Sequence, residues 1–419
     1  MRILIVSQYF TPEITAAAAR LHGFAEGLAR RGNQVEVICE VPSHPAGVVE
    51  PGYGGHFAEI RQMDGFEVRY VWVHTTPSKA TRARLLNYAS FGVSAVLAGA
   101  VLPKPDAIVA SSPPLPVGNV GATLAFRHRA PWVLDVRDLW PDVALVVGEV
   151  EEGPLVSAAR KIEHRLYRSA AAITCTTQSF ESEIEARGGE GKVTQISNGT
   201  TERFLSAGDE EPDRSLIGDD ERFTWTYAGN LGLAQGLDVA VQAAGELGED
   251  FRLLLVGDGP RREQLRRLAA DVAPGAVEFR EPVPPAQVAP LMRASDALIV
   301  SLDARPGLEG FVPSKLFDCC AVGRPVIVSA AGETRRLATQ AAAGLSIRPG
   351  DAGELASAVR RLRDDDALRE RLGAGARAFG EANSRERGVA ELERVLRGVV
   401  EAHPTRTRRL RQGQGAKEA

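Results

Sequence analysis

The residues best suited to chemistry lie in one segment, residues 309–329, with the sequence EGFVPSKLFDCCAVGRPVIVS. The pattern predicts a loop, a helix over 315–320 with Ser314 as its N-cap, a turn and a short buried strand. Free backbone N–H groups at a helix start suit a phosphate, and Lys315 adds a positive charge. Asp318 lies one turn further along, where a carboxylate can accept both hydroxyl hydrogens of a ribose. We interpret the segment as a site for a nucleotide diphosphate. The alternative is an ordinary crossover helix with a solvated Asp318.

A second set of candidate residues follows a predicted buried strand over 132–136. Asp135, Arg137 and Asp138 stand together at the end of that strand. Ligands of parallel sheets bind beyond the carboxyl ends of the strands, which would place these charges next to a ligand. Three charges at a strand end need solvent, partners or a ligand. The alternative is a mutual Asp–Arg pair that braces the loop, and both interpretations can hold together.

Loops rich in small residues follow several other predicted strands. The loop over 228–237, AGNLGLAQGL, and the loop GDGP over 257–260 are both glycine-rich. Neither domain's first strand is followed by GxGxxG, which disfavours a hydride-transferring oxidoreductase. A long Pro/Gly loop over 41–54 carries His44. A lone loop histidine is more often a surface residue than a base, so His44 ranks as an acceptor-side residue at best.

The elements that must position these residues alternate as strand and helix along the chain, which predicts an α/β fold with two doubly wound Rossmann-like domains facing across a cleft. The length of 419 residues also favours two domains. The predicted boundaries place the first domain at 1–199, a polar linker at 200–222, the second domain at 223–384, a last long helix at 385–403 and a disordered basic tail at 404–419.

Composition restricts the classes of partner. The net charge of −4 gives no argument for nucleic acid, and the four cysteines show no metal-binding spacing, so we expect reduced thiols that are mostly buried. The first residues, MRILIVSQYF, are interpreted as a strand and not a signal peptide, which predicts a cytoplasmic protein. The helix predicted over 82–102 is very apolar, with Arg82 and Arg84 at its entry. It is too short to span a bilayer, so it is either a core helix or one that rests on a membrane surface at the inner face of the plasma membrane.

An ordered set of short motifs then carries a resemblance to a known family. The motifs are VSQYFTPE, PSHPAG, DVRDLWPD, ISNG, YAGNLGLAQGL, LLVGDGP, VPSKLFDCCAVGRPVI and SAAGE. In this order and spacing the chain resembles the retaining glycosyltransferases of family four, which have the GT-B fold. It is most similar to the WbuB-like branch of bacterial cell-surface polysaccharide transferases. The resemblance covers the chain to about residue 400.

This resemblance implies a nucleotide-sugar site in the second domain, an acceptor site in the first, a last helix that crosses back onto the first domain, and no metal or other cofactor. The implied acceptor is a saccharide or a polyprenyl-diphosphate-linked sugar. The residues expected to act in catalysis are Asp135, Arg137, Asp138 and Lys315. Those expected to bind the nucleotide sugar are Gly229, Asn230, Gln235, Gly257, Gly259, Glu309, Ser314, Lys315 and Asp318.

Three departures from the family pattern affect these expectations. The family often has two glutamates eight positions apart, and here those positions hold Gly310 and Asp318, with Glu309 one place out of register. Many relatives carry an Arg and a Lys in the glycine-rich loop, where Asn230 and Gln235 stand here. Lys315 and backbone N–H groups must then offset the phosphate charge, with Arg261 or Arg137 as further candidates. Many relatives also have a His near Arg137, and an arginine cannot act as a base.

A departing nucleoside diphosphate develops negative charge, which fixed cations and helix N-termini can stabilise without a metal. A retaining front-face displacement needs no strong protein base, because the leaving phosphate can take the acceptor proton. Two alternatives stay open. One is a sugar-nucleotide 2-epimerase of the same fold, and the other is a non-catalytic partner subunit of another glycosyltransferase.

Overall fold

The computed structural model describes residues 1–13, 15–44, 46–78, 80–146, 148, 150–218 and 220–403. They form two compact units. The N-terminal unit contains Met1–Leu145, Val150–Ile196 and the chain from Gly388 onward, and the C-terminal unit is built mainly from Ser197–Arg387. Each unit is an α/β layer structure around a sheet, as the strand–helix alternation predicts.

The sheet of the N-terminal unit has eight strands in the order β3-β4-β2-β1-β5-β6-β7-β8. All neighbours are parallel except the edge pair β3–β4. The strands are β1 Arg2–Val6, β2 Gln34–Glu40, β3 Ala58–Met63, β4 Phe66–Val71, β5 Ala107–Ser112, β6 Trp132–Val136, β7 Ala172–Cys175 and β8 Val193–Gln195. Strands β5, β6 and β7 are buried along their whole length, which explains their continuous runs of apolar and small residues.

The helices of this unit cover the sheet between successive strands. They are α1 Ala16–Arg30, α2 Thr81–Ala100, α3 Pro116–His128, α4 Asp142–Val146, α5 Pro154–Ser169 and α6 Gln178–Ile184, which runs into a π-helical turn at Glu185–Gly189. Strand β3 and helix α4 were not predicted. Strand β3 is a half-exposed edge strand with the sequence AEIRQM, and α4 has only five residues. Neither shows the apolar periodicity from which a strand or a helix is predicted.

The sheet of the C-terminal unit is parallel throughout, with the order β11-β10-β9-β12-β13-β14. Its strands are β9 Phe223–Ala228, β10 Phe251–Val256, β11 Val277–Arg280, β12 Ala297–Ser301, β13 Val326–Ser329 and β14 Gly344–Ile347. Its helices are α7 Glu202–Asp209, α8 Asp238–Gly245, α9 Arg262–Val272, α10 Pro285–Ala294, α11 Lys315–Ala321, α12 Gly332–Gln340, α13 Ala352–Asp364 and α14 Asp366–Ala382. The core packs Trp225 and Tyr227 of β9 together with Leu253 and Leu255 of β10 and Val241 of α8.

The stretch 200–222, interpreted as a polar linker, contains more structure than its composition indicates. Helix α7 buries Leu205 and Ala207, and Ala207 joins the apolar cluster that includes Leu316 and Cys320 of α11. A short 3₁₀ turn follows at Arg214–Leu216. A helix of eight residues with two buried side chains leaves too weak an apolar pattern to be recognised in the sequence.

Helix α2 is a core helix on one face only. Phe91, Ala95 and Ala98 are buried, whereas Val93 and Leu97 on the opposite face are 62% and 55% exposed. Among the described helices none is long and apolar enough to cross a membrane.

The last helix, α15 Arg385–Ala402, belongs to the N-terminal unit from Gly388 onward, as the resemblance implies. Its Glu393 is buried and accepts hydrogen bonds from Asn33 Nδ2 at 3.0 Å, Arg31 Nε at 2.7 Å and Arg397 Nη2 at 2.7 Å. The bonds from Asn33 and Arg31 hold the pKa of Glu393 at about 2. This carboxylate therefore fixes the helix to the end of α1.

We expect Glu393→Gln to lower the free energy of unfolding of the N-terminal unit by about 1–3 kcal/mol at pH 7, because hydrogen bonds to a charged group are lost. A lowered folded-state pKa stabilises the fold above the unfolded value near 4.5 and loses that effect as pH falls toward 2. Urea unfolding at several pH values should show the deficit shrinking below about pH 4. Glu391→Gln, on the same helix with a surface partner in Arg394, is the control and should change little. Equal deficits at pH 7 and pH 3 would contradict this account.

Candidate functional site

Lys315, the first residue of α11, places its ammonium group at the carboxyl end of β9. Nζ lies 3.7 Å from the ring centroid of Tyr227 and donates a hydrogen bond to the carbonyl oxygen of Ala228 at 3.2 Å. No carboxylate of the described residues forms an ion pair with it. A Cβ atom on Gly229 would lie 2.4 Å from Nζ, so the glycine leaves the space that the ammonium fills. The positive charge is thus held by neutral groups only.

The electrostatics of Lys315 favour an anionic ligand. Burial lowers its pKa to about 8, against the opposing effects of Cys319 and Asp318. The group is still mostly protonated at pH 7, but without the carboxylate partner that a buried cation usually has. A phosphate next to Nζ would supply the missing negative charge and raise the pKa again.

The predicted glycine-rich loops after β9 and β10 pack backbone against backbone. Gly229, Gly257 and Gly259 all have positive φ angles, at +143°, +140° and +158°. A Cβ atom on Gly257 would lie 2.0 Å from the carbonyl oxygen of Gly229, and one on Gly259 would lie 2.5 Å from that of Leu231. Gly257 is buried, so its role is to let the loops meet rather than to touch a ligand. Gly229 is exposed, and its role in binding the donor stays a prediction.

The two neutral residues at the places of the family's cationic pair lie together in the same loop. A Cβ atom on Gly232 would be 2.8 Å from Asn230 Nδ2 and 2.5 Å from Gln235 Oε1. Gln235 Oε1 is buried and accepts no hydrogen bond from the described residues. Arg261, a candidate for offsetting phosphate charge, pairs with Asp238 at 2.6 Å, which largely neutralises it. Lys315 is therefore the better-placed cation here.

Asp318 is half-buried on α11, one turn beyond Lys315. Its Oδ1 accepts a hydrogen bond from Thr200 Oγ1 at 2.9 Å. Burial raises its pKa to about 6, against the effects of Thr200, Arg385 and Lys315. The sequence predicted a carboxylate open to both ribose hydroxyls, but one oxygen is already engaged by Thr200. The other accepts no hydrogen bond from the described residues and remains available to a ligand hydroxyl.

One expectation for the loop before α11 needs correction, that for Ser314, and the one for Glu309 stays a prediction. Ser314 occupies the N-cap position, but its side chain makes no capping hydrogen bond, because its own φ and ψ of −56° and −31° are already helical. Glu309 is exposed, and its Oε2 accepts from the N–H of Gly307 at 2.6 Å. Its carbonyl accepts from the N–H of Glu333 at 2.7 Å, and a Cβ on Gly332 would lie 2.1 Å from it. The loop is thus fixed against the start of α12.

Asp135 lies in the core of the N-terminal unit, contrary to its expected place next to a ligand. It is fully buried and accepts from Arg20 Nη2 at 3.0 Å, Ser111 Oγ at 2.8 Å and Thr174 Oγ1 at 2.9 Å. Burial raises its pKa, but Arg20 and the hydrogen bonds outweigh burial and lower it overall. With no exposed atom, Asp135 can brace the sheet but cannot touch a substrate.

Arg137 and Asp138 are half-buried in the loop after β6. Arg137 donates to Ser111 Oγ at 3.0 Å and to the carbonyl oxygen of Pro113, so its guanidinium is anchored to β5 and the chain after it. Asp138 accepts no hydrogen bond from the described residues. Burial raises its pKa, and the nearby Arg137 opposes that effect. Of the three predicted charges, Asp138 is the one left to act on a ligand. His44 is exposed and lies 5.0 Å from Tyr9, measured between ring centroids.

A cluster of buried polar residues in the N-terminal unit was not predicted from the sequence. Glu13 lies in the loop after β1, Glu40 is the last residue of β2, and they are 5% and 3% exposed. Their neighbour Gln8 is fully buried. These two glutamates are 27 positions apart in the sequence, and neither lies in a motif that would indicate a site. Over the described part of the chain, no group of three or more His, Cys, Asp or Glu side chains is arranged to hold a metal ion.

Comparison with known families assigns the two parts of the chain. Residues 15–199 match the model described as "Glycosyl transferase 4-like domain". Residues 222–365 match the model described as "Glycosyl transferases group 1". The two matches adjoin near the boundary between the two compact units.

Two curated relatives show the level of similarity. A protein of Escherichia coli K12 named as the colanic acid biosynthesis glycosyl transferase WcaI is 25% identical over 349 residues, which are 80% of this chain and 84% of that protein. The alpha-D-kanosaminyltransferase of Streptomyces kanamyceticus is 28% identical over 228 residues, or 51% of this chain and 56% of that protein.

Solved structures share the fold. HepE of Anabaena, determined with UDP and glucose, superposes with a TM-score of 0.70 at 18% identity, over 95% of this chain and all of that one. Sucrose-phosphate synthase of Thermosynechococcus elongatus superposes with a TM-score of 0.75 at 19% identity, over 96% of this chain and 99% of that one. These likenesses confirm the predicted architecture of two Rossmann-like domains.

Proposed function

We propose that this chain, a GT-B-fold glycosyltransferase built from a glycosyl transferase 4-like domain and a glycosyl transferases group 1 domain, moves a sugar from a nucleoside-diphosphate sugar to a saccharide acceptor with retention of configuration. One observation carries the donor part of the proposal. The ammonium of Lys315 stands at a strand's carboxyl end, against an exposed glycine, with no carboxylate partner among the described residues. That is the place and the charge that a diphosphate requires.

The donor would be held by groups of the C-terminal unit. Lys315 and the backbone around Gly229 would bind the diphosphate, and Asp318 would accept a hydrogen bond from a ribose hydroxyl. As the bond to the sugar breaks, negative charge grows on the leaving phosphate, and a fixed cation stabilises it more in the transition state than in the ground state. The reaction would then need no metal, and the leaving phosphate would take the acceptor proton.

On the acceptor side, the roles fall to residues of the N-terminal unit. Asp138 would hold an acceptor hydroxyl, and Arg137 would fix the loop that carries it. The relative WcaI takes its name from colanic acid biosynthesis. We therefore place this chain in the synthesis of a cell-surface polysaccharide, in the WbuB-like branch, with a polyprenyl-diphosphate-linked saccharide as acceptor.

A lipid-linked acceptor requires contact with the inner face of the plasma membrane, and α2 offers a surface for it. An apolar stripe of Leu86, Val93, Leu97 and Val101 is exposed by 51%, 62%, 55% and 81%. Arg82, at the start of the same helix, is exposed as well. An apolar helix face next to basic residues is suited to lie at the headgroups of an anionic bilayer.

We expect the protein to sediment with phosphatidylglycerol vesicles and much less with phosphatidylcholine vesicles. The double variant Val93→Glu, Leu97→Glu should lower vesicle binding by about tenfold or more, because two charges enter the apolar face. Both side chains are exposed, so its melting temperature should stay unchanged. Val272→Glu, an exposed apolar position in the C-terminal unit, is the control. If the double variant bound vesicles as well as the wild type does, the proposal that α2 rests on the membrane would be refuted.

The activity itself is tested by incubating the protein with UDP-, GDP-, ADP- and dTDP-sugars in the presence of EDTA, with and without candidate saccharide acceptors. Acceptor-dependent release of nucleoside diphosphate, with an NMR coupling constant that shows the donor's anomeric configuration in the product, is the expected result. Release of free nucleotide with an epimerised sugar in the absence of acceptor would favour the 2-epimerase. Donor binding with no turnover of any acceptor would favour a non-catalytic partner subunit.

A further inference from the structure

The buried acidic side chains of the described residues fall into two classes. Six of them are less than a tenth exposed. Four have an arginine partner within 4 Å: Asp135 with Arg20, Glu163 with Arg187, Glu333 with Arg336, and Glu393 with Arg31. The other two, Glu13 and Glu40, form no ion pair with any described residue. A buried carboxylate without a cation is costly, so this exception calls for an explanation.

The two unpaired acids belong to one cluster. Gln8 Nε2 donates to Glu40 Oε2 at 2.8 Å and to Asn87 Oδ1 at 2.6 Å, which joins the ends of β1 and β2 to α2. Glu13 Oε1 accepts from the backbone N–H groups of Ser43 and His44 at 3.0 and 2.9 Å. The cluster thus lies at the carboxyl ends of two adjacent parallel strands, where ligands of such sheets bind.

The cluster contains more acceptors than donors. Gln8 Oε1 and Glu13 Oε2 are buried and accept no hydrogen bond from the described residues. The amide of Gln8 cannot simply be turned, because its Nε2 already donates to two oxygens. These two atoms are acceptors that call for N–H or O–H donors, and the carboxyl group of Glu40 becomes a further acceptor when it ionises.

The charge balance shows which kind of donor fits. Burial raises the pKa of Glu40 to about 8, so it is neutral at pH 7, and burial raises the pKa of Glu13 as well. The other titratable groups that act on this pair are Tyr9, Cys39 and Glu50, none of which is cationic. Tyr88 of α2 and the cation Arg137 both act on Tyr9, and neither is among the groups that act on Glu13 or Glu40. A bound cation would let both carboxyl groups ionise and would offset their burial.

We propose that Gln8, Glu13 and Glu40 form a subsite for the ammonium group of an amino-sugar unit in the saccharide acceptor. The inference rests on the proposed glycosyl transfer and specifies the class of its acceptor. An ammonium group brings one positive charge and three N–H donors, which match the two unpartnered oxygens and the Glu40 carboxyl. Tyr9 and Asn87 are half-buried and His44 is exposed, so the cluster borders on solvent through these residues.

The test compares two probes that differ only in this group, p-nitrophenyl β-D-glucosaminide and p-nitrophenyl β-D-glucoside, by titration calorimetry at pH 7. The amine should bind about tenfold more tightly or better, since a charge-assisted hydrogen bond replaces a neutral one. Because Glu40 is protonated before binding, the amine should also release protons, seen as binding heats that depend on the ionisation enthalpy of the buffer. The glucoside should release none.

Glu40→Gln and Glu13→Gln should each bring the two affinities close together and remove most of the proton release. Glu36→Gln is the control, because Glu36 lies on the same strand β2 but pairs with Arg69 at 2.8 Å. The proposed subsite would be refuted if the wild type bound the two probes equally or bound neither. It would also be refuted if both variants still preferred the amine. Nucleotide-sugar turnover is measured on the same preparation. Turnover without a preference for the amine refutes this inference alone, whereas a lack of turnover refutes the proposed function.

Discussion

Removing the ammonium of Lys315 is expected to lower kcat by about 10²–10³-fold, the range found when one preorganised group that stabilises transition-state charge is lost. Lys315 is a cation of the C-terminal unit that pairs with no described carboxylate and lies next to the exposed Gly229. Its stem also packs on Tyr227, with Nζ 3.7 Å from the ring centroid. Lys315→Met keeps an unbranched stem without the charge, so steady-state kinetics of this variant separate charge from packing.

The matched control is Glu309→Ala in the preceding loop. Its carboxylate is exposed and bonds only to the N–H of Gly307 among the described residues, so we expect a loss of less than about tenfold. A loss in Lys315→Met that is no larger than that in Glu309→Ala would remove Lys315 from the mechanism. A rise in KM with an unchanged kcat would show that the ammonium binds donor and transition state equally.

Breaking the Arg20–Asp135 pair should have the largest effect on stability. Both side chains are about 1% exposed, with 3.0 Å between Nη2 and Oδ1. Asp135→Ala leaves the Arg20 charge buried without its carboxylate, which typically costs about 3–5 kcal/mol. Urea unfolding followed by circular dichroism measures the loss. Such a loss can leave the N-terminal unit largely unfolded at 37 °C.

Asp138→Asn provides the contrast, because Asp138 is half-buried and has no described hydrogen-bond donor. The free energy of unfolding of this variant should differ from that of the wild type by less than about 1 kcal/mol, while its acceptor-dependent turnover falls. If Asp135→Ala proved as stable as the wild type and lost only turnover, Asp135 would be catalytic after all, and its assignment as a structural brace would be wrong.

The alternation of apolar strands and amphipathic helices was enough to predict the fold. Strand β6 was predicted with the bounds that the structure has, because it is a short apolar run with a clear end. Strand β3 and helix α7 were not predicted, since edge strands and short helices bury few side chains and leave a weak pattern. Their formation depends on neighbours that are remote in sequence.

The site residues that could be predicted are those that lie within a recognisable motif of neighbouring residues. Lys315 and Asp318 were recognised because a loop, a helix start and a turn surround them within a few residues. The contact of Lys315 with Tyr227 spans 88 positions, and the bond of Asp318 with Thr200 spans 118. Asp135 was misplaced because a charged residue at a strand end gives no indication that Arg20, on helix α1, already neutralises it. Unpaired buried acids such as Glu40 can be recognised only once every possible partner has a position.

The measurement that tests the central claim most directly is titration calorimetry of nucleoside diphosphates and nucleotide sugars against the wild type and Asp318→Ala. We expect one nucleotide to bind the wild type, and to bind the variant at least about tenfold more weakly because a ribose hydroxyl loses its acceptor. Since the pKa of Asp318 is about 6, binding to the wild type should also weaken as pH falls below 6. If no nucleotide binds, or if one binds both proteins equally at every pH, the segment around Lys315 and Asp318 is not a nucleotide-sugar site.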